Sequence, residues 1–359
     1  MKFRKLPRTD LVLSEVGFGV WTVATNWWGK IEDADKKALL ENAVEEGINF
    51  FDTADTYGDG LGEEILAEVL GHKRNDIIIA TKFGYDIYDP TPRDGHKERA
   101  QKFDKEFVKY ACEQSLRRLG TDYIDLYQAH NIKLADLQKD ELFEILEQLQ
   151  FEGKIRYFGV AIGPDIGWLE EGEYSLIERR VKSTQIIYNI LEQDPAKRFV
   201  ALAEEHDLGL LSRVPHASNT LTGEYDHGLP VFDADDHRAH RKNEWLEESM
   251  RKVNRVRFLV QEDTRTMAQS AIQFVLKQKA IVSVLPNFTN LSELKEYTSA
   301  LDTPEITDEE QSKLDELWEH DFDLAEPDRR SCRPRLQHFS EGLPEVTVGP
   351  TGRRAGATL

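Results

Sequence analysis

Short apolar runs alternate with longer amphipathic stretches along most of the chain. The pattern predicts strands at Glu15–Val20, Asn49–Ala54, Asp76–Phe83, Tyr123–His130, Ile155–Ile162, Ser183–Asn189, Gly209–Val214 and Ala280–Pro286. It predicts helices at Ala34–Glu46, Glu63–Leu70, Lys105–Leu119, Asp140–Glu152, Ile166–Arg180, Ala196–Asp207, Thr266–Lys277 and Leu291–Leu301. In the fourth of these, Leu142, Phe143, Ile145, Leu146 and Leu149 make one apolar stripe, the spacing of a helix lying on a core. Pro195 reads as a helix start capped by Asp194. Gly71, Gly120 and Gly153 follow helix ends, where a left-handed residue is favoured. Ahead of the first unit, Lys2–Lys5 and Val12–Ser14 read as a short hairpin.

Eight short apolar strands alternating with eight helices imply parallel strands buried on both faces. The economical closure is an α/β fold of the (β/α)8 TIM barrel type, with the N-terminal hairpin in front of it. A doubly wound sheet is the rival. Against it, no strand-to-helix turn carries G-x-G-x-x-G, since Gly17-Phe18-Gly19 lacks the third glycine and runs into Val20-Trp21. Two segments break the rhythm: a long insertion after the seventh strand, Arg213–Gln261, and a C-terminal extension past the eighth unit, Asp302–Leu359. The extension starts with a convincing helix, Asp308–Glu319, and becomes rich in Pro, Gly and Arg, which predicts a mobile end. The expected organisation is a barrel over residues 1–320 and a tail over 321–359.

Composition narrows the function. A net charge of −20 argues against nucleic acid as a partner, because affinity there comes largely from cationic side chains. No apolar run approaches the roughly 18 residues of a membrane span, and the basic start Met1–Pro7 has no apolar segment after it, so cytoplasmic residence is expected. Cys112 and Cys332 make neither a disulfide framework nor a zinc site.

The candidate chemistry lies at strand ends, where catalytic groups of a barrel are found. Asp52 ends the second predicted strand, Lys82 lies at the end of the third and His130 ends the fourth, with Tyr57 in the loop after Asp52. Singly, such residues are more often a cap, a solvated charge and a structural histidine; four suitable types at consecutive strand ends point to a site. Asp52 needs a cation if it is buried, and Lys82 supplies one. A lysine ammonium beside a tyrosine stabilises the phenolate, which makes the tyrosine a better acid. His130 adds a hydrogen bond to the same substrate oxygen. An acid aimed at a carbonyl oxygen, with no nucleophile nearby, implies hydride from a nicotinamide.

In this order the segments Phe3–Thr9, Gly17–Trp21, Phe50–Gly58, Thr81-Lys82 and Asp125–Asn131 resemble the aldo-keto reductase superfamily over about residues 1–320. The resemblance implies the barrel, an NAD or NADP cofactor at its mouth, and Asp52, Tyr57, Lys82 and His130 as a catalytic tetrad with Tyr57 as proton donor. It places the cofactor against Gly19, Trp21, Asp52, Gln185, Arg213, Asn287, Thr289 and Glu293, and the substrate against Trp21, Trp28, Tyr57 and His130. Gln185 matches a glutamine that binds the nicotinamide carboxamide. Gly159–Gly163 departs from the usual Gly-Val-Ser-Asn, and Arg213 stands where many members have a stacked aromatic. After the eighth strand, Pro286-Asn287-Phe288-Thr289 replaces Pro-Gly-Ala-Arg, whose arginine binds the 2′-phosphate of NADP. With Glu293 nearby, the choice between the cofactors stays open with a mild lean to NAD.

The expected activity is interconversion of a small-molecule carbonyl and an alcohol. The aromatics Trp21, Trp27, Trp28, Tyr85 and Tyr88, beside a polar insertion carrying Asp233, Asp235, Asp236, His237, His240 and Glu244, suit a carbohydrate or a polar ring ketone. No metal site is expected among them. Two other readings stand beside this one: a regulatory subunit that holds cofactor without turnover, and a lyase or epimerase with transient oxidation. Oligomeric state is not encoded in these patterns.

Overall fold

The structure, a computed structural model, describes residues 1–92, 97–163, 168–233, 236–240, 243–261 and 263–324. The hairpin strands β1 (Phe3–Lys5) and β2 (Val12–Ser14) pair antiparallel, with Phe3 opposite Ser14. Eight further strands follow: β3 (Phe18–Gly19), β4 (Phe50–Asp52), β5 (Ile78–Phe83), β6 (Ile124–His130), β7 (Ile155–Ala161), β8 (Ser183–Ile187), β9 (Gly209–Arg213) and β10 (Ile281–Leu285). Each is parallel to the next in chain order. The two edges then meet. Val16 bridges Val284, the Gly17 N–H donates to the Val284 carbonyl at 2.9 Å, and the Val284 N–H donates to the Glu15 carbonyl at 2.8 Å. The eight predicted strands are therefore all present, each one to four residues shorter than its apolar run, and they curl into a barrel.

The pleat divides the strand residues between two cores. One face packs on the surrounding helices through residues such as Phe51, Ile79, Tyr127 and Val160. The other fills the barrel's amino end, where Phe50, Ala80, Leu126, Leu211 and Val282 meet Leu6, Leu11 and Leu13 of the hairpin. Each of those three leucines is buried and contributes roughly 1.5–3 kcal/mol. Arg4 ties the hairpin down, donating to the carbonyls of Leu276 (2.7 Å), Gln278 (3.0 Å) and Ile281 (2.7 Å).

The helices follow the predicted stripes, with caps that explain their starts. Asp104 accepts from the Phe107 N–H ahead of Lys105–Leu119, and Thr266 with Gln269 and Thr307 with Glu310 form capping boxes. Two local expectations are corrected. Pro195 itself stands at the N-cap of Ala196–His206, so Asp194 lies one residue too early to cap, and no side chain does. Gly71 is right-handed and opens a 3-10 turn, because the chain continues to coil there, whereas Gly120 and Gly153 are left-handed as predicted. The insertion holds an unpredicted helix, Asn243–Arg255, and a 3-10 turn, His237–His240. The predicted helix start at Ile166, Asp235, and tail residues 325–359 lie outside the described residues; the helix there is described as Leu169–Ile177. Among the described residues no helix is long and apolar enough to cross a membrane.

His216 pins the base of the insertion. It is buried, its Nε2 lies 3.2 Å from the Ala268 carbonyl, and its ring packs 4.4 Å from that of Tyr297. Burial depresses its pKa to about 4, below an unfolded value of about 6.5. The stability it allows is fully present above pH ~6.5 and is lost as pH falls to ~4, because only the unfolded chain takes up the proton over that window. His216→Phe is expected to flatten this part of the pH dependence; unfolding midpoints measured from pH 7 to 4 check it, and equal acid sensitivity in both proteins would contradict it.

Candidate active site

Strand register sets the site. Asp52 lies opposite Ala80, Lys82 opposite Gln128, and His130 opposite Ala161, so three ionisable residues project from neighbouring strands at the barrel's carboxyl end. The Lys82 ammonium is wholly buried and spends its donors on three acceptors: Asp52 Oδ1 at 2.5 Å, the Thr53 carbonyl at 2.8 Å and Tyr57 Oη at 3.3 Å. Burial alone would favour a neutral amine. The Asp52 carboxylate and then Tyr57 outweigh it and hold the ammonium's pKa above its usual value. The second carboxylate oxygen, Oδ2, accepts from Gln185 at 2.9 Å and Gln128 at 3.1 Å. Asp52 is thus a buried anion with a cation and two amides around it.

Tyr57 reaches this cluster from the loop after β4, whose run of Asp55, Gly58, Asp59 and Gly60 has the composition of an exposed loop. Most of that loop is buried instead: only Gly58 and Asp59 face solvent, while Asp55, Thr56 and Gly60 do not. Gly58 permits the seating. It has φ +62°, and a Cβ there would lie 2.5 Å from the Ala24 carbonyl. The Asp55 N–H donates to the Lys82 carbonyl at 3.2 Å, tying the loop to β5.

His130 is buried with its ring edge-on to Tyr57 (5.9 Å) and Tyr85 (5.2 Å). Burial first, then the charges of Lys82 and Arg213, push its pKa well below the ordinary range, so the imidazole is neutral near pH 7. Asn131, left-handed at φ 49°, turns the chain after β6 and donates to Tyr85 Oη at 2.8 Å. Arg213, at the end of β9, donates to the Ile162 carbonyl at 2.8 Å, while its Nε is buried without a protein partner.

On the far side of β5, Thr81 donates to Glu63 Oε1 and Arg118 to Glu63 Oε2, both at 2.6 Å. Asp55 lies beside them, fully buried, with neither carboxylate oxygen hydrogen-bonded. Burial, followed by repulsion from Glu63, raises its pKa well above the usual value. Gln128, Glu63, Arg118 and Asp55 were not singled out from sequence. Charges within an amphipathic helix look solvated, and the outward phase of Thr81, next to the inward Lys82, was the available signal.

The remaining expected contacts divide between the two sides of the mouth. Gly19 approaches Pro286 so closely that a Cβ would lie 3.4 Å from its carbonyl. Asn287 is half-buried, and Glu293 accepts from the Thr289 N–H (2.7 Å) and hydroxyl (2.9 Å). Trp21 opens a one-turn helix, Trp21–Ala24, that packs beside the Tyr57 loop. Trp28 is buried against Trp21. Tyr88 packs edge-on against Phe107 and Tyr110. Among the described residues no group of three His, Cys, Asp or Glu is placed to hold a metal.

The sequence profile described as the aldo/keto reductase family matches residues 15–319. An uncharacterized oxidoreductase of Bacillus subtilis, YqkF, is 32% identical over 90% of this chain and 98% of its own. A probable voltage-gated potassium channel subunit beta of Oryza sativa is 26% identical over 86% of this chain and 95% of its own. The solved glycerol dehydrogenase of Gluconobacter oxydans superposes with a TM-score of 0.75 at 26% identity, covering 90% of this chain and 98% of the other.

Proposed function

The chain belongs to the aldo/keto reductase family, and from that premise we propose that Tyr57 exchanges a proton with the oxygen of the substrate. The family is one of NAD(P)-dependent oxidoreductases acting between carbonyl and alcohol. One observation supports the assignment above others: the Lys82 ammonium lies between the Asp52 carboxylate and the Tyr57 hydroxyl. As the proton leaves Tyr57, charge grows on its oxygen against an ammonium that Asp52 keeps protonated. Gln128 and Gln185 hold Asp52 in place. His130, neutral, donates to the carbonyl oxygen and orients it. In the oxidative direction the same groups take the proton back.

The mouth fits a nicotinamide cofactor, which when bound supplies or accepts the hydride. The orphaned Arg213 Nε, buried beside His130, is a donor suited to an anionic or amide group. Gln185, Arg213, Gly19, Trp21, Asn287, Thr289 and Glu293 would line its course. We assign the preference to NAD(H). Glu293 occupies the Thr289 hydroxyl and presents a carboxylate that accepts from a ribose hydroxyl but repels a 2′-phosphate. Glu293→Gln is expected to shift the NADP-to-NAD affinity ratio about tenfold toward NADP, some 1.4 kcal/mol. Fluorescence titration with each cofactor measures it, and an unchanged ratio would remove Glu293 from the determinants.

The test of the function is turnover of aldehydes, ketones and polyols by the unmodified protein with each cofactor. The similarity to a probable channel subunit makes a cofactor-holding regulatory role the alternative. Tight cofactor binding with no turnover on any of these classes would select it.

A further inference from the structure

Behind the tetrad, on the outward face of β5, a buried carboxylate closes the loop that carries Tyr57. Glu63 is wholly buried in the first turn of the helix Leu61–Leu70, and both of its oxygens are occupied. Oε1 accepts from the Thr81 hydroxyl and Oε2 from Arg118 Nε, each at 2.6 Å. Short hydrogen bonds to a charged group are among the stronger ones a protein makes. The stem of Arg118 lies over Gly60, where a Cβ would come within 2.7 Å of Arg118 Cδ. Its guanidinium also reaches Tyr88 Oη and Ser115 Oγ, both at 3.4 Å.

The Tyr57 loop is thereby tied to one strand at both ends. At its start the Asp55 N–H donates to the Lys82 carbonyl at 3.2 Å, and past its end Glu63 meets Thr81, the residue before Lys82. Between these ties Tyr57 rests on the start of the helix. Its carbonyl accepts from the Gly62 N–H at 3.0 Å, and a Cβ on Gly62 would lie 3.2 Å from the Tyr57 Cβ. Lys82 is held by Asp52 and the Thr53 carbonyl, and its contact with Tyr57, at 3.3 Å, is the longest of its three. That contact is the one a small shift of the loop would open. We propose that Glu63 is a positioning residue for proton transfer which, through Thr81 and Arg118, sets the separation of the Lys82 ammonium and the Tyr57 hydroxyl from behind the strand. The proposal rests on the reading of Tyr57 as the proton-exchanging group and adds the element that holds it in place.

The experiment compares the unmodified protein with Thr81→Val, which keeps the shape of the side chain and removes its hydroxyl, and with Thr81→Ser, which keeps the hydroxyl. Reduction of propanal and of glyceraldehyde is followed from about pH 6 to 10, across the range in which a tyrosine beside an ammonium titrates. Tyr57 must carry its proton to reduce a carbonyl, so kcat falls as pH rises through its pKa, and the Lys82 ammonium sets that fall at lower pH. The other titratable or charged groups around it are Asp52 on β4, His130 on β6, Arg213 beyond His130 on β9, and Asp55 and Asp59 in its own loop. All are retained in both variants. Thr81→Val is expected to move the alkaline fall up by about one pH unit, the lower end of what an adjacent opposite charge contributes. Its plateau kcat drops by up to about a hundredfold, the loss that a misplacement of about 1 Å brings. KM and cofactor affinity stay within about twofold of the unmodified protein, the scatter of a change that touches no ligand. Thr81→Ser restores both kcat and the position of the fall. A role in stability alone lowers the unfolding midpoint of Thr81→Val and leaves the alkaline fall where it was; that result would overturn the proposal, as would a serine variant displaced as far as the valine one. Should Thr81→Val not fold, Glu63→Gln, which retains an acceptor for Thr81 and loses the charge that holds Arg118, decides by the same shift. If the unmodified protein reduces neither carbonyl, the carbonyl–alcohol reading itself fails and the proposal falls with it, whereas an active unmodified protein with unshifted variants removes the role of Glu63 alone.

Discussion

Replacing Tyr57 with phenylalanine is expected to lower kcat by about 10²–10⁴-fold, the usual contribution of a positioned general acid, while cofactor affinity is unchanged. The substitution removes one oxygen and keeps the ring, so the edge-on contact with His130 survives. Lys82 loses one of its three acceptors but keeps the Asp52 carboxylate and the Thr53 carbonyl. The fold should therefore stand, and loss of turnover can be read as loss of the proton path. Steady-state kinetics beside fluorescence titration of cofactor separate the two quantities. Full carbonyl reduction by the phenylalanine variant with cofactor still bound would remove Tyr57 from the role. His130 would then need another explanation for its own burial, since its depressed pKa leaves it a donor near neutral pH but not an acid with a proton to give.

Removing the Asp52 carboxylate should be costly in a different way. Asp52→Ala leaves Lys82 fully buried without its anion, so that it either carries an uncompensated charge or gives up its proton, and also strands the amides of Gln128 and Gln185. Breaking a buried pair from one side typically costs about 3–5 kcal/mol. Activity should fall as well, because an ammonium that sheds its proton no longer stabilises charge on Tyr57. The double variant Asp52→Ala with Lys82→Met is expected to recover much of the stability and none of the activity, since no lone buried charge remains. Urea unfolding of the three proteins decides it. A single variant within about 1 kcal/mol of the unmodified protein, the range of an exposed pair, would mean that the pair is not buried in solution.

Asp52, Lys82 and His130 were legible from sequence because position in a strand fixes direction. Once the apolar runs are read as barrel strands, an acid, a lysine and a histidine at three successive ends must share one opening. The supporting shell was harder to read. Gln128 shares the inward phase of His130, two residues further on, but an ordinary polar residue in mid-strand carries no sign of which partner it meets. Asp55 follows Ala54 in a segment rich in Gly and Asp, so composition placed it in solvent, while the close approach that Gly58 permits put it inside. The insertion's helix was missed for another reason. Asn243–Arg255 is densely charged, yet Leu246, Met250 and Val253 recur at intervals of four and three; Leu246 is buried, and Met250 and Val253 pack on the core. The stripe was present but narrow, and a single apolar residue per turn does not stand out from a charged loop.

The join between Val16 and Val284 has a consequence for how the protein is made. The hairpin that seals the barrel's amino end finds Arg4's carbonyl partners 272 to 277 residues further along the chain. A ribosome working at about 5–20 residues per second delivers those partners roughly 15–60 s after the hairpin has emerged. Throughout that interval the nascent sheet has two raw edges, and its first strand waits for its last. Any sheet that forms in that interval is open at both edges, and an open edge is a template for pairing with another chain. Changes at Arg4 or Leu6 should accordingly appear in the yield of soluble protein during synthesis, and leave the turnover of molecules that have already closed unaltered.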